Sequence, residues 1–237
     1  PENTCSLLKT MKMKITIIQF SPSGNTLKIS EMLKKELEQR NQEVQLLNIT
    51  REPQFFIEKE TQKFILEKVK QHDVLLIGCP VYAHHLQYYM QDLIKELPKP
   101  NAIWGKYVIP YVTYVGISSG IALKEAAELL KKSGRIIHAG MKVSASHRMT
   151  RAFLAEEFNK NKKLDNNLPQ IVELVNRIMQ LNNIKVMKCN AKSLDYNGLV
   201  IKLKANIIFK EKLWHEKRYP KISIEREFCS NCGKCIK

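Results

Sequence analysis

The sequence predicts an α/β protein built on a doubly wound parallel sheet of five strands. Three observations carry this. Short apolar runs alternate with longer segments of helical period along residues 13–182. The runs are apolar at successive positions, as strands must be when helices cover both faces of a sheet. Turn-forming residues separate each run from the helical pattern after it, and strand–helix alternation of this kind builds parallel sheets.

The elements follow in order. Lys14-Ile15-Thr16-Ile17-Ile18-Gln19-Phe20 reads as a buried first strand, and Leu27, Ile29, Met32, Leu33 and Leu37 then recur at helical spacing. Glu43 to Ile49 reads as the second strand. Gln54 to Gln71 carries Phe55, Phe56, Ile65, Leu66 and Val69, with a helical pattern in its second half. Asp73 to Cys79 is the third strand, expected to end at Pro80. Leu86, Tyr89, Met90, Leu93, Ile94 and Leu97 line a helix that stops before Pro98. Tyr107 to Val115 is the fourth strand, and Ile121 to Ser133 is a helix closed by Gly134. Arg135 to Ala139 begins a fifth strand, and Leu168, Ile171, Val172, Val175, Ile178 and Met179 mark the last helix of this unit.

Right-handed crossovers bring every strand-to-helix loop to one edge of such a sheet, where ligands bind. The first of these loops is Ser21-Pro22-Ser23-Gly24-Asn25-Thr26. Backbone N–H groups converge where a turn enters a helix, and the helix dipole favours an anion there. The loop has three hydroxyls and no lysine, which excludes a Walker A loop, and a single glycine, which excludes the dinucleotide fingerprint. A cradle remains that holds one terminal phosphate by neutral donors; an ordinary capped turn also has this composition. Two further loops share the edge: Cys79-Pro80-Val81-Tyr82-Ala83-His84-His85, and Thr113-Tyr114-Val115-Gly116-Ile117-Ser118-Ser119-Gly120. Tyr82 and Tyr114 are either walls for a flat ring or half-buried core residues. His84 and His85 stand in the same loop, either beside such a ring or as ordinary surface or packing residues.

Composition narrows the class. The chain has 237 residues, 44% of them hydrophobic, enough for one sizeable core with an appendage. No apolar run approaches the ~18–20 residues that span a bilayer. Pro1 to Thr10 has no apolar segment of the secretory kind, so the expected compartment is the cytoplasm. A chain starting at Pro1, with Met11 and Met13 close to the first strand, reads as a fragment, a processed form or an early start. Net charge is +16, and residues 184–237 hold 13 Lys/Arg against 5 Asp/Glu. No nucleic-acid motif accompanies the charge, so a solvated lysine-rich face or a docking face for an acidic redox partner accounts for it. Leu199, Val200, Leu203, Ile207 and Trp214 fall on one arc of a helix in this segment, suited either to packing against the main domain or to an amphipathic linker.

Three of the six cysteines lie in the last nine residues, as Cys229-Ser230-Asn231-Cys232-Gly233-Lys234-Cys235. Cys-x-x-Cys-x-x-Cys matches the opening of the bacterial ferredoxin run and favours iron–sulfur over zinc. The fourth cysteine of that run is missing. Neither Cys79 nor Cys189 has motif support as a substitute, so truncation is the expectation.

Ser21 to Thr26 resembles the FMN-phosphate loop of flavodoxins, Ser/Thr-x-Ser/Thr-Gly-x-Thr, and the loops around Tyr82 and Tyr114 match the two that hold the flavin ring in that family. With the cysteine terminus, the chain resembles the flavodoxin–ferredoxin fusion proteins of anaerobic bacteria and archaea. The resemblance implies strand order 2-1-3-4-5 for residues 13–182, a basic connecting segment over 183–226, and the start of a [4Fe–4S] ferredoxin module over 227–237. It implies FMN held by Ser21, Ser23, Gly24, Asn25, Thr26, Pro80, Val81, Tyr82, Ala83, Thr113, Tyr114, Gly116 and Gly120. Cys229, Cys232 and Cys235 would ligate the cluster, and electrons would pass between flavin and cluster. The basic balance departs from the acidic surfaces common among flavodoxins.

Two other classes compete. Gly116-Ile117-Ser118-Ser119-Gly120 matches the Gly-x-Ser-x-Gly elbow of serine hydrolases, with Asp195 and His215 following in the required order. A non-catalytic interaction module is the other. A phosphatase of the Cys-x5-Arg type is excluded, because no arginine follows Cys79 at that spacing.

Overall fold

The structure, a computed structural model, describes residues 12–52, 61–116, 118–146, 159, 163–182, 189–195 and 198–207. Its strands are β1 (Lys14–Gln19), β2 (Glu43–Asn48), β3 (His72–Tyr82), β4 (His85–Leu86), β5 (Trp104–Tyr114), β6 (Ile136–Ile137) and β7 (Met141–Ser144). The helices are α1 (Asn25–Gln39), α2 (Thr61–Lys68), α3 (Tyr88–Glu96), α4 (Ala122–Lys132), α5 (Leu168–Met179) and α6 (Leu199–Ile207). The sheet runs β2-β1-β3-β5-β6, with β7 also beside β5 and β4 paired antiparallel to β3. In the five-strand numbering this is the expected order 2-1-3-4-5, and its ladders are parallel, from Lys14↔Glu43 at one side to Tyr111↔Met141 at the other.

Two prolines explain where strands depart from expectation. The described residues form seven strands rather than five, partly because the fifth is split into β6 and β7. Val108 pairs with Ile137 and Tyr111 with Met141, so one extra residue sits opposite Ile109-Pro110. The Val108 carbonyl accepts from His138 N, so Val108 and every second residue beyond it, Pro110 included, face β6 and β7. Pro110 has no N–H to give that side, and the ladder breaks there. Pro80 does not end β3 as expected. Gly78 O accepts from Phe20 N, so even-numbered positions of β3 face β1, and β1 has already ended where Pro80 stands. The missing N–H costs nothing at that point, and β3 continues through Val81 and Tyr82 into a hairpin with β4.

The core lies on both faces of the sheet. Ile15 and Ile17 pack with Ile29, Leu33 and Leu37 of α1 and Ile171, Val175 and Ile178 of α5. Ile18 and Ile77 face the other way, toward Phe64 and Ile65 of α2, Leu93 and Ile94 of α3, and Leu123 and Ala127 of α4. Burial on both sides is why these strands are continuously apolar. Helix α3 begins at Tyr88 rather than Leu86, because β4 takes Leu86 and the Gln87 side chain caps by accepting from Met90 N at 3.1 Å.

The basic segment departs from one expectation. Leu199, Val200, Leu203 and Ile207 of α6 are 84%, 66%, 62% and 64% exposed, so this apolar arc does not pack on the domain; Ala205 is the buried residue of the helix. Polar tethers set its orientation: His85 bonds to the Ala205 carbonyl at 2.9 Å, and Lys202 pairs with Asp195 at 2.7 Å. Trp214 lies outside the described residues. Just before α6, Cys189 N donates to Ile137 O, and Ala191 and Leu194 join the core. Among the described residues no helix is long and apolar enough to cross a membrane.

Candidate functional site

The carboxyl ends of β1, β3 and β5 bring the three predicted loops together. In the first, Gly24 has φ +82°, and a Cβ there would meet nothing within 4 Å. This left-handed residue lets the chain turn from β1 into α1 and leaves open space in front of it. Gly24 N donates to Ser21 O and Lys28 N to Gly24 O. Ser21 Oγ accepts from Leu27 N at 2.9 Å, taking one of the unpaired amides of the first helical turn. The amides of Ser23, Asn25 and Thr26 have no partner among the described residues.

Two of the three loop hydroxyls hold the protein together. Thr26 Oγ1 lies 2.8 Å from Thr113 Oγ1, a buried bond joining the first loop to the end of β5. Only one hydrogen is used between them, so the pair keeps a second O–H to donate. Ser21, buried and accepting from Leu27, also keeps its own. The Ser23 side chain is exposed. Beneath, Ser30 Oγ lies 2.6 Å from the Tyr111 hydroxyl and 2.7 Å from Thr26 O; full burial pushes the Tyr111 phenol up and keeps it neutral.

The second loop is a hairpin. Tyr82 pairs with His85, and Ala83 and His84 between them have φ +45° and +73°. Two left-handed central residues suit the twist of a hairpin but are ordinarily Asn and Gly, so this turn stores strain. Pro80, Val81, Tyr82 and Ala83 are half-buried, and Tyr82 leans on the core. Burial is the main cause holding His84 below its ordinary value of 6.5, with the charges of His85 and Lys204 adding to it.

The third loop is fastened to the second. Gly120, buried with φ +54°, lies so close to His84 that a Cβ would stand 2.1 Å from the His84 carbonyl oxygen. Ile121 N donates to that oxygen at 2.8 Å. Tyr114 is half-buried and Gly116 exposed with φ +99°. Tyr114 O accepts from Ala145 N, and Val115 O accepts from the Asn159 side chain.

Other residues hold this edge without a sequence motif. Thr50 Oγ1, just after β2, accepts from Ser21 N at 2.7 Å, and Asn25 Nδ2 donates to Ser146 O at 2.7 Å. Their position at the carboxyl ends of β2 and β7 was the only signal available. Gln19, the last residue of β1, is fully buried, and both polar atoms of its side chain lack a partner among the described residues. Such an amide costs free energy until a donor or acceptor reaches it.

The residues fit a phosphate-bearing flavin. Three amides without a partner among the described residues stand at a helix N-terminus, beside space that a glycine leaves free, and neutral hydroxyls flank them. The hydrolase constellation does not come together as easily. Ser118 Oγ accepts from Gly120 N at 3.0 Å, but the Asp195 carboxylate is paired with Lys202 and with Lys124, 3.4 Å away. His215 lies outside the described residues, as do Cys229, Cys232 and Cys235. Among the described residues no three His, Cys, Asp or Glu side chains form a metal site. Cys79 is buried in the core, and Cys189 Sγ lies 3.3 Å from Ser193 Oγ.

The fold is similar to that of several solved proteins. The flavodiiron core of Flv1 from Synechocystis sp. PCC6803 is 13% identical and superposes with a TM-score of 0.50 over 72% of this chain and 36% of that one. Rubredoxin oxygen:oxidoreductase from Desulfovibrio gigas is 14% identical, with TM-score 0.48 over 73% and 37%. Flavodoxin 1 from Bacillus cereus is 16% identical, with TM-score 0.49 over 73% and 99%. The chain spans little more than a third of the length of the first two of these structures. No curated protein matches it in sequence. The model of the NADPH-dependent FMN reductase family matches residues 13–151, more than half of the chain and all three loops of the site. With its α/β sheet and phosphate-type turn, the chain therefore belongs to the NADPH-dependent FMN reductase family, on a flavodoxin-like FMN-binding fold.

Proposed function

We propose that this chain is an FMN-dependent electron carrier that relays electrons between flavin and iron–sulfur clusters. The open amides of Ser23, Asn25 and Thr26 at the N-terminus of α1 carry the proposal. They would hold the phosphate, with Ser21 and the Thr26–Thr113 pair supplying neutral O–H donors. Pro80 to Ala83 and Thr113 to Gly120 would wall the ring, and Tyr82 and Tyr114 would exclude water from its faces. When bound, FMN accepts electrons in a pair and gives them up singly. The protein's own part is to orient the ring, shield it and supply backbone donors at its rim.

Two features support the finer reading. Cys229, Cys232 and Cys235 have iron–sulfur spacing. The net charge of +16 supports an acidic redox partner, whose association would weaken with salt. The name of the family makes NADPH the first electron donor to try.

Titration of the apoprotein with FMN and with riboflavin tests the flavin site. Bound FMN is expected to absorb near ~450 nm. Riboflavin, lacking the phosphate, is expected to bind at least ~100-fold more weakly, about 3 kcal/mol. Protein that ignores FMN, or binds both alike, overturns the reading. Anaerobic reconstitution of the full-length protein with ferrous iron and sulfide tests the relay. The reduced protein should give an electron paramagnetic resonance signal that Cys232→Ala removes. No cluster in the wild type would overturn the relay and leave the flavin site standing.

A further inference from the structure

His85 joins two parts of the chain. It lies in β4, the returning strand of the hairpin that follows β3, and is 6% exposed. Its Nδ1 is 3.3 Å from Glu125 Oε1 and its Nε2 is 2.9 Å from the Ala205 carbonyl oxygen. Both oxygens accept hydrogen bonds only. A neutral imidazole carries one N–H and one lone pair, so either tautomer turns a lone pair toward one of them. The imidazolium donates to both. Glu125 is fixed in turn, since its Oε2 accepts from Leu86 N at 2.9 Å.

We propose that His85 is a positioning residue that carries both ring protons and clamps α6 to the hairpin of residues 81–86. One proton then sets where α6, the helix leading toward the cysteine run, stands relative to the second loop of the site. The clamp is a property of the apoprotein; that the hairpin walls a flavin rests on the function proposed above.

The surroundings agree with a cation at this position. From α4 comes the Glu125 carboxylate. Within the hairpin, burial holds His84 below its ordinary value, with the charges of His85 and of Lys204 from α6 adding to it. Lys202 of α6 and Lys124 of α4 are drawn to Asp195 at 2.7 and 3.4 Å. Helix α6 presents Leu199, Val200, Leu203 and Ile207 outward and buries Ala205, so the His85–Ala205 bond and the Lys202–Asp195 pair are the polar contacts that seat it among the described residues.

The test uses the full chain without flavin. Ring nitrogens of His85 are followed by NMR between pH 5.5 and 9, and amide exchange of residues 199–207 is measured as protection factors over the same range. Both ring nitrogens are expected to be protonated at pH 6. Protection of α6 should fall roughly tenfold in a one-proton step as His85 deprotonates, the loss of one charge-assisted hydrogen bond. Glu125→Gln should move the step to lower pH, and His85→Gln should abolish it. A His85 ring already neutral at pH 6, or α6 protection that is flat with pH, overturns the proposal. So does a step that persists in His85→Gln. Should the variants fail to fold, the wild-type titration alone decides. A protein that ignores FMN would refute the flavin site without altering any of these readings.

Discussion

Two glycines of the site separate a steric requirement from a conformational one. Gly120→Ala places a methyl 2.1 Å from the His84 carbonyl oxygen and 2.3 Å from its Cα, at φ +54°. The left-handed conformation alone costs a side-chain-bearing residue about 1–2 kcal/mol. Main-chain atoms cannot rotate away as a flexible side chain can, so the hairpin and the Gly120 loop must part. That breaks the 2.8 Å bond from Ile121 N to His84 O, worth about 1 kcal/mol or more where the carbonyl stays buried. The sum is about 3 kcal/mol, or roughly 6–12 °C in melting temperature for a chain of this size. Gly24→Ala has the left-handed penalty, at φ +82°, and no clash. It should cost only about 1–2 kcal/mol, yet its methyl enters the cradle and should weaken FMN binding beyond what the stability loss explains. Urea denaturation of both apoproteins, with FMN titration of each, compares them. Equal stability losses would refute the steric argument at Gly120. Full FMN affinity in Gly24→Ala would refute the cradle and favour a non-catalytic module.

Four further outcomes follow from particular contacts. Thr26→Val leaves Thr113 Oγ1 buried without its 2.8 Å partner and should cost about 1–3 kcal/mol, while Thr26→Val combined with Thr113→Val should cost less than the two singles added, in a double-mutant cycle by denaturation. Ala83→Gly relieves a side chain at φ +45° and should raise apoprotein stability by about 1 kcal/mol, measured the same way; a loss would show the turn to be unstrained. Gln19→Met replaces an unpartnered buried amide by an apolar chain of similar length and should stabilise the apoprotein by about 1–2 kcal/mol, so a lower denaturation midpoint would contradict its orphaned state. His72 is pushed down from 6.5 chiefly by burial, so below that value the unfolded chain binds a proton that the folded one refuses. Stability should therefore be full above pH 6.5 and fall as pH drops beneath it, with a smaller fall in His72→Phe; thermal melts at pH 5 and 7.5 test the sign.

Much of the sheet was legible because its signals are local. Apolar runs such as Ile15 to Ile18 and Val74 to Ile77 exceed what a half-exposed strand would carry, and Gly24 and Gly134 mark turns whose positive φ only glycine adopts easily. The three loops were legible for the same reason, since crossover handedness sends them to one edge once the strands are known. Pro110 was visible but not decisive, because its effect depends on which neighbour its nitrogen faces, and that is a property of register. Ala83 and His84 gave no turn signal, since neither residue favours the left-handed region that the hairpin imposes.

By itself the sequence determined the alternation of strands and helices and the phosphate-type turn at Ser21 to Thr26. Spacing and polarity along the chain suffice for these. Tertiary structure alone decided that Thr26 spends its hydroxyl on Thr113 while the amides around it stay open. It also decided that Gly120 and His84 touch, and that α6 meets His85 through the Ala205 carbonyl while its apolar arc stays exposed. Each joins residues from 36 to 120 positions apart. Contacts at such separations are set by the packing of whole elements, which no local pattern of residues records.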